Sequence, residues 1–531
     1  MEKKEEEKTK GLSRREFLKY TGMTAGAVGT SRLFPTIPLF AANPKAGGSF
    51  KTAVAGYTLT RSLDPALCAW VAEQQIESTM FSSLVRFDGN MNIVSDLAQS
   101  WTIPNDLTYR FKLFPGVKFH DGEDCTAEDV VFSLERVRNP ATGSPNRDKY
   151  NEIDQIKAVD RLTVEIKTKR PFAPLLSYLC NARTGSQIVS KKAIEKQGAD
   201  YGIRPIGTGP FKLVEWKPGE KLEFAKHPQY FMKGLPHVDA VTEYLISEES
   251  AATNAIMSGD IDLVSTVLFS DVKTLEATKG LKVLKEPGLN VRFFVVNCQA
   301  KPFDDIYVRQ AFAHSFDRKQ LISAVIYGEG IEIQGVIPPA LKWAYHPNLK
   351  TQTFNPEKAR ELLKKSKYQK ADLNFTILTW GTGWWKRWAE IVAAQASEVL
   401  DLQIKVESLE AGTVNTRNSK GDFTCSVWGW LGLVEPDEYA YENFHSKGSK
   451  NYTKYTNPRV DDLLEKARTT MDRTVRANYY HQAEEIIGTE APSIFCFSNF
   501  LHNAMKDYVM DFVQVPFSAF GSQFDRVWLS K

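Results

Sequence analysis

Between Thr108 and Val137 the apolar residues change their period, and that change limits the folds open to the chain. Tyr109, Phe111 and Leu113 alternate with Thr108, Arg110 and Lys112, the two-residue repeat of a strand with one buried face. After the turn FPGVKFHDGED, Thr126 and Asp129 form a T-x-x-D start, and Val130, Leu134 and Val137 follow on one helical face. Arg161–Lys167 (RLTVEIK) alternates again. Asn355-Pro356 and Asn457-Pro458 each place a side-chain cap before a proline at the first helical position. The helices they open carry Leu362/Leu363 and Val460, Leu463, Leu464 and Ala467. A further helix from Thr474 is expected to bury Val475, Tyr479, Ala483 and Ile486/Ile487. Strand and helix signals mix throughout, without a repeat, so the fold class is α/β. At 531 residues the chain exceeds what one core can organise, and two or more domains are expected.

The N-terminus reads as an export address. Residues 13–19, SRREFLK, match a twin-arginine (Tat) signal, and Tyr20 to Val28 form an apolar segment too short to span a bilayer. Residues 1–42 are therefore expected to be a signal peptide, and the mature product to be periplasmic. No Cys follows the apolar segment to carry a lipid, and no later run has the length of a membrane anchor. Residues 1–42 hold eight Lys/Arg and five Asp/Glu, which leaves 59 of each sign in the remainder. That formal neutrality excludes the basic footprint of a nucleic-acid binder. Six scattered cysteines without a CxxC pair do not make a disulfide scaffold, and most read as small buried hydrophobes.

Motifs for chemistry are missing. There is no GxSxG, HExxH, Walker loop or paired CxxC, and GTGPF at 207–211 lacks the third glycine of a dinucleotide fingerprint. The eight histidines include no pair at metal-ligand spacing. No cofactor, metal or catalytic residue is expected, and the chain is not expected to be an enzyme.

The block Leu97–Leu134, LAQSW…LTYRFKLFPGVKFHDGEDCTAEDVVFSL, closely resembles the signature of the peptide/nickel class of extracellular solute-binding proteins, the capture subunits of ABC importers. SLDPA at 62–66, GTGPFKLVEWKPGE at 207–220, SGDIDLV at 258–264, KPFDDIYVRQAFAHSFDRKQLI at 301–322 and NYTKYTNPRVDDLLEKA at 451–467 extend the likeness over the mature chain. The resemblance implies a two-lobed, type II-like periplasmic binding fold joined by crossing strands, with the ligand cleft between the lobes. Residues 43–285 plus 499–531 would form the first lobe, with an inserted subdomain at about 75–200. Residues 290–498 would form the second. The partners implied are a small organic solute and the importer's permease and ATPase, and the protein is expected to be a monomer. The rival readings are an exported enzyme on this scaffold and a chaperone-like binder without an importer.

The resemblance also points to site residues. VWGWLGLVEPDEY, Val427–Tyr439, supplies a Trp wall at Trp430, and Trp428 shares its strand face. Peptide binders place an Asp three residues beyond that Trp, against the peptide's α-ammonium. Here the position is Leu433, which puts capture of a free peptide N-terminus in doubt. Glu435 or Asp437 would have to swing in as substitutes, although acids beside a proline are expected to face water. Ala69, Trp70 and Val71 follow SLDPA where relatives approach the ligand, and Asn146 stands where oligopeptide binders carry a Tyr. Arg387 and Arg417 match basic positions of relatives and are candidates for an anion clamp. In TWGTGWWKRW, Trp384 and Trp388 share a helical face and at least one of them is expected in the core, while Trp385 is the candidate for the cleft.

Overall fold

The computed structural model describes residues 44–56, 62–67, 71–180, 184–381, 383–431, 433–516 and 522–531. The twin-arginine segment, Ala69 and Trp70 lie outside these residues, as does the side chain of Val71. Among the described residues, no helix is long and apolar enough to cross a membrane.

A sheet of twelve strands runs through the molecule, and one strand explains its continuity. Ser493–Lys506 pairs through Ser493–Phe497 with Asn290–Val296, and through Phe500–Lys506 with Leu281–Pro287. On one side of this crossing, Phe375–Trp380 lies parallel to Ile404–Leu409 and Cys425–Leu431. On the other, Ser49–Ala55 lies parallel to Ala240–Ile246 and Leu263–Ser265. Two connections, Leu281–Val296 and Ser493–Lys506, thus pass between the sheet halves, as the resemblance implies for crossing strands.

The elements expected from period and caps form. Thr108–Leu113 buries Tyr109, Phe111 and Leu113, exposes Arg110 and Lys112, and pairs with Thr163–Thr168 in a separate four-stranded antiparallel sheet. Full burial of an aromatic such as Phe111 contributes roughly 1.5–3 kcal/mol. Helix Ala127–Arg138 packs there with Val130, Leu134 and Val137 buried, and the Thr126 N–H donates to Asp129 Oδ2 at 2.9 Å. The Asn355 side chain caps Pro356–Leu363, where Ala359 is the buried residue and Leu362 and Leu363 only half-buried. Asn457 caps Pro458–Thr469, which buries Val460, Leu463, Leu464 and Ala467.

One face differs from expectation. Helix Arg473–Glu490 is capped by Asp472, leaves Val475 exposed and Tyr479 and Ile486 half-buried, and buries Arg476, Ala477, Tyr480, Ala483, Glu484 and Ile487. Two ionisable residues sit inside because each has a partner there. Arg476 meets Glu435, and Glu484 Oε1 accepts the Ile337 N–H at 2.9 Å. Periodicity that counts apolar residues misses an inward charge satisfied from another element.

Cys125, Cys180, Cys425 and Cys496 are buried free thiols and Cys298 is half-buried. A continuous apolar cluster joins Tyr109, Phe111, Leu134 and Tyr178 to Tyr439, Phe444, Leu464 and Tyr480. The four-stranded sheet and its helix are therefore packed with the helices Pro436–Phe444, Pro458–Thr469 and Arg473–Glu490 in one apolar cluster.

Candidate ligand site

Cys425–Leu431 lies between Asn290–Val296 and Phe375–Trp380, and strand alternation puts Trp428 and Trp430 on one face. Trp428 is buried against Trp380 (ring centroids 5.7 Å apart), Trp430 (5.6 Å) and Tyr452 (5.3 Å). Trp430 is half-buried, its Nε1 donates to Asn443 Oδ1 at 2.9 Å, and the Lys450 ammonium lies 4.7 Å from its ring centre.

A second set of indoles begins where Phe375–Trp380 ends and helix Gly383–Leu400 starts. Trp384 and Trp385 stack at 4.3 Å and are half-buried, while Trp388 is fully buried on Phe294 and Phe497. Trp385 meets Trp380 edge-on at 4.1 Å, which links the two sets into one aromatic surface. It lies at the C-terminal ends of parallel strands, where α/β sheets present ligands. Trp388 and Trp428 are core, while Trp380, Trp384, Trp385 and Trp430 keep part of their surface exposed; Trp428, a candidate for the wall, is thus buried against Trp430 and not exposed beside it.

Gly429, between the two indoles of Trp428 and Trp430, is required by its neighbour. It pairs directly with Arg292, and a Cβ would stand 2.7 Å from Arg292 Nη1 and 2.8 Å from the Val291 carbonyl. The guanidinium crosses the strand there, 5.1 Å from the Trp385 ring centre and 5.4 Å from that of Trp384, with Nε donating to Asn499 Oδ1 at 3.3 Å. These are cation–π distances. Sequence reasoning missed Arg292; the glycine between two tryptophans was the signal.

The acidic end of the same stretch departs from expectation. Leu433 is buried in the apolar cluster. Glu435, Asp437 and Glu438 are also buried, so neither Glu435 nor Asp437 is a solvated loop acid. Glu435 pairs with Arg476 and accepts from Ser177 Oγ at 2.8 Å. Asp437 takes two hydrogen bonds from Arg468, at 3.0 and 2.7 Å. Glu438 pairs with Lys149 and accepts the Val434 N–H at 2.9 Å. Burial acts against ionisation of Glu438, but Lys149 and Lys450 outweigh it and hold its carboxyl below the ordinary range. Burial likewise opposes the Arg468 charge, and Asp437 overrides it. Each carboxylate is matched because an unpaired buried charge is strongly destabilising.

The remaining candidates scatter. Asn146 is buried just before the turn Arg147–Tyr150 that carries Lys149. Arg417 pairs with Glu407 (3.0 Å) and Asp422 (3.1 Å). Arg387 lies on the exposed face of its helix, opposite buried Trp388 and Ala389. The structure brings Trp428 and Trp430 together, connects Trp385 to them through Trp380, and does not bring Arg387 or Arg417 to them as a clamp.

This arrangement is the two-lobed α/β architecture of periplasmic binding proteins. Residues 92–452 match the family model of bacterial extracellular solute-binding proteins, family 5, and the chain belongs to that family. It is 29% identical over 480 residues to the glutathione-binding protein GsiB of Pectobacterium atrosepticum, covering 88% of this chain and 91% of that protein. The periplasmic binding protein DppA of Helicobacter pylori, solved with the peptide STSA, superposes with a TM-score of 0.78 at 26% identity, covering 92% of this chain and 99% of that one. The oligopeptide-binding protein AppA of Bacillus subtilis, solved with a nonapeptide, gives 0.76 at 26% identity, covering 92% and 100%. The chain is thus a solute-binding protein.

Proposed function

We propose that this protein captures a small organic solute by closing two lobes around it and delivers it unchanged to an ABC importer. The first lobe is residues 43–285 with 499–531 and the insert at about 75–200, and the second is 290–498. Export by the twin-arginine route places it in the periplasm as a soluble monomer, without catalysis. The relatives named above bind glutathione or peptides, which favours a peptide-like solute. Trp430 and Trp385 serve as its stacking surfaces, with Trp428 packed against Trp430 in the core.

The observation that carries this reading is the connected aromatic surface beside two crossing connections. Lobes hinged this way have an open and a closed state, and a ligand touching both favours closure by its differential affinity. Contacts from the insert to the second lobe, Ser177 to Glu435 and Arg170 to Glu465 at 2.7 Å, are those expected of the closed form.

Mass spectrometry of compounds co-purifying with the native protein tests the reading, followed by small-angle scattering with and without the compound found. A smaller radius of gyration on saturation is expected. An identical profile in both states, or turnover of the compound, overturns it.

A further inference from the structure

We propose that Lys149 supplies, from within the chain, the ammonium that neutralises the acidic segment behind the Trp430 wall, and that the cleft selects solutes lacking a free ammonium at that end. This rests on the solute-binding reading and names the chemical class of its ligand.

The Trp wall and the acid are held as one unit. Asn443 accepts from Trp430 Nε1 and donates through Nδ2 to the Glu438 carbonyl at 3.1 Å and the Tyr439 carbonyl at 3.0 Å. The Glu438 carboxylate accepts N–H groups of Val434 (2.9 Å) and Glu435 (3.3 Å) through Oε2, and Lys149 Nζ through Oε1. Lys149 reaches it from the inserted region, with its ammonium 5.1 Å from the Tyr178 ring centre and its side chain only 11% exposed. The other acids nearby are engaged as well. Glu435 is held by Arg476, Asp437 by Arg468, and Glu442 by Lys450, whose ammonium covers the Trp430 ring.

A cationic guest arriving at Trp430 meets carboxylates already matched and the ammonium of Lys450 over the indole. Like charge at that distance disfavours it. A neutral or acylated end, or an anion, meets no such opposition. Removal of the Lys149 ammonium takes from a buried carboxylate the counter-ion it directly bonds and leaves only the field of Lys450. A ligand ammonium is the natural replacement.

The test uses a matched pair, Ala-Phe and N-acetyl-Ala-Phe, titrated by tryptophan fluorescence and thermal shift at pH 7. Wild type is expected to bind the acetylated compound at least tenfold more tightly. Lys149→Ala is expected to reverse the order, gaining at least tenfold for the free amine, while Lys149→Arg keeps the wild-type order. If Lys149→Ala does not fold, Lys149→Met retains the apolar stem and takes its place. Equal or tighter binding of Ala-Phe by wild type, an unchanged order in the variant, or no response of either protein to either compound overturns the proposal. Failure of the solute-binding reading looks different: no compound co-purifies, and no solute in a wider panel raises the wild-type melting point.

Discussion

Trp430 and Glu438 are joined through the single side chain of Asn443, yet the molecule treats their surroundings in opposite ways. Around Trp430 the indoles of Trp380, Trp384 and Trp385 stay half-buried and keep surface available to a guest. From Leu433 to Glu438 each carboxylate is sealed against a cation of another element. Apolar surface left partly bare costs only tens of calories per square ångström, whereas a desolvated carboxylate left bare costs several kcal/mol. Binding surface is therefore kept aromatic, and charge is settled inside the chain.

The strongest attempt to break this contrast is Arg476→Met, which strips Glu435 of a partner when both are almost fully buried. A loss of about 3–5 kcal/mol in urea unfolding is expected, and adding Glu435→Gln should recover part of it. A loss below ~1 kcal/mol would mean that water reaches the acidic segment.

Glu484 sharpens the comparison because it is a buried acid without a cation. Burial raises its carboxyl to about 8 from an ordinary 4.5, with the backbone N–H groups of Ile337 and Val336 offsetting only part. The folded state then keeps a proton that the unfolded chain releases. Its contribution to stability is fully present below 4.5, declines as pH rises to about 8, and is flat above that. The change is on the order of 5 kcal/mol. Glu484→Gln should therefore raise the melting point relative to wild type at pH 8.5 much more than at pH 5. Equal shifts at both would show that Glu484 is ionised in the fold.

For the aromatic side, Trp430→Ala is expected to weaken binding of the co-purified solute by ~1–3 kcal/mol while the protein stays folded. Unchanged affinity in calorimetry removes Trp430 from the site.

What the sequence made legible follows the same division. Local devices were readable: the alternation at Tyr109–Leu113, the Thr126–Asp129 box, the asparagine–proline caps, and Trp428 with Trp430 on one strand face. Each depends on neighbours within a few positions. The pairing of Lys149 with Glu438 spans 289 positions, and nothing local announces it. The face of Arg473–Glu490 was misjudged for the same reason, since Arg476 is inward only because Glu435 waits there. Arg292 left one trace, the glycine opposite it.

Arg387 and Arg292 give the smallest and most selective test. Both are arginines in the part of the chain that carries the indoles, and sequence favoured Arg387. Arg387 is exposed, whereas Arg292 is 7% exposed and held between Gly429 and the rings of Trp384 and Trp385. An exposed helical arginine gives up almost no desolvation energy and is worth little to stability or to a buried ligand. Arg387→Ala should therefore move both the melting free energy and the affinity for the co-purified solute by less than ~0.5 kcal/mol. A tenfold loss of affinity in Arg387→Ala would extend the site over the outer face of helix Gly383–Leu400, and the boundary between binding surface and solvated surface drawn at Trp385 would have to move with it.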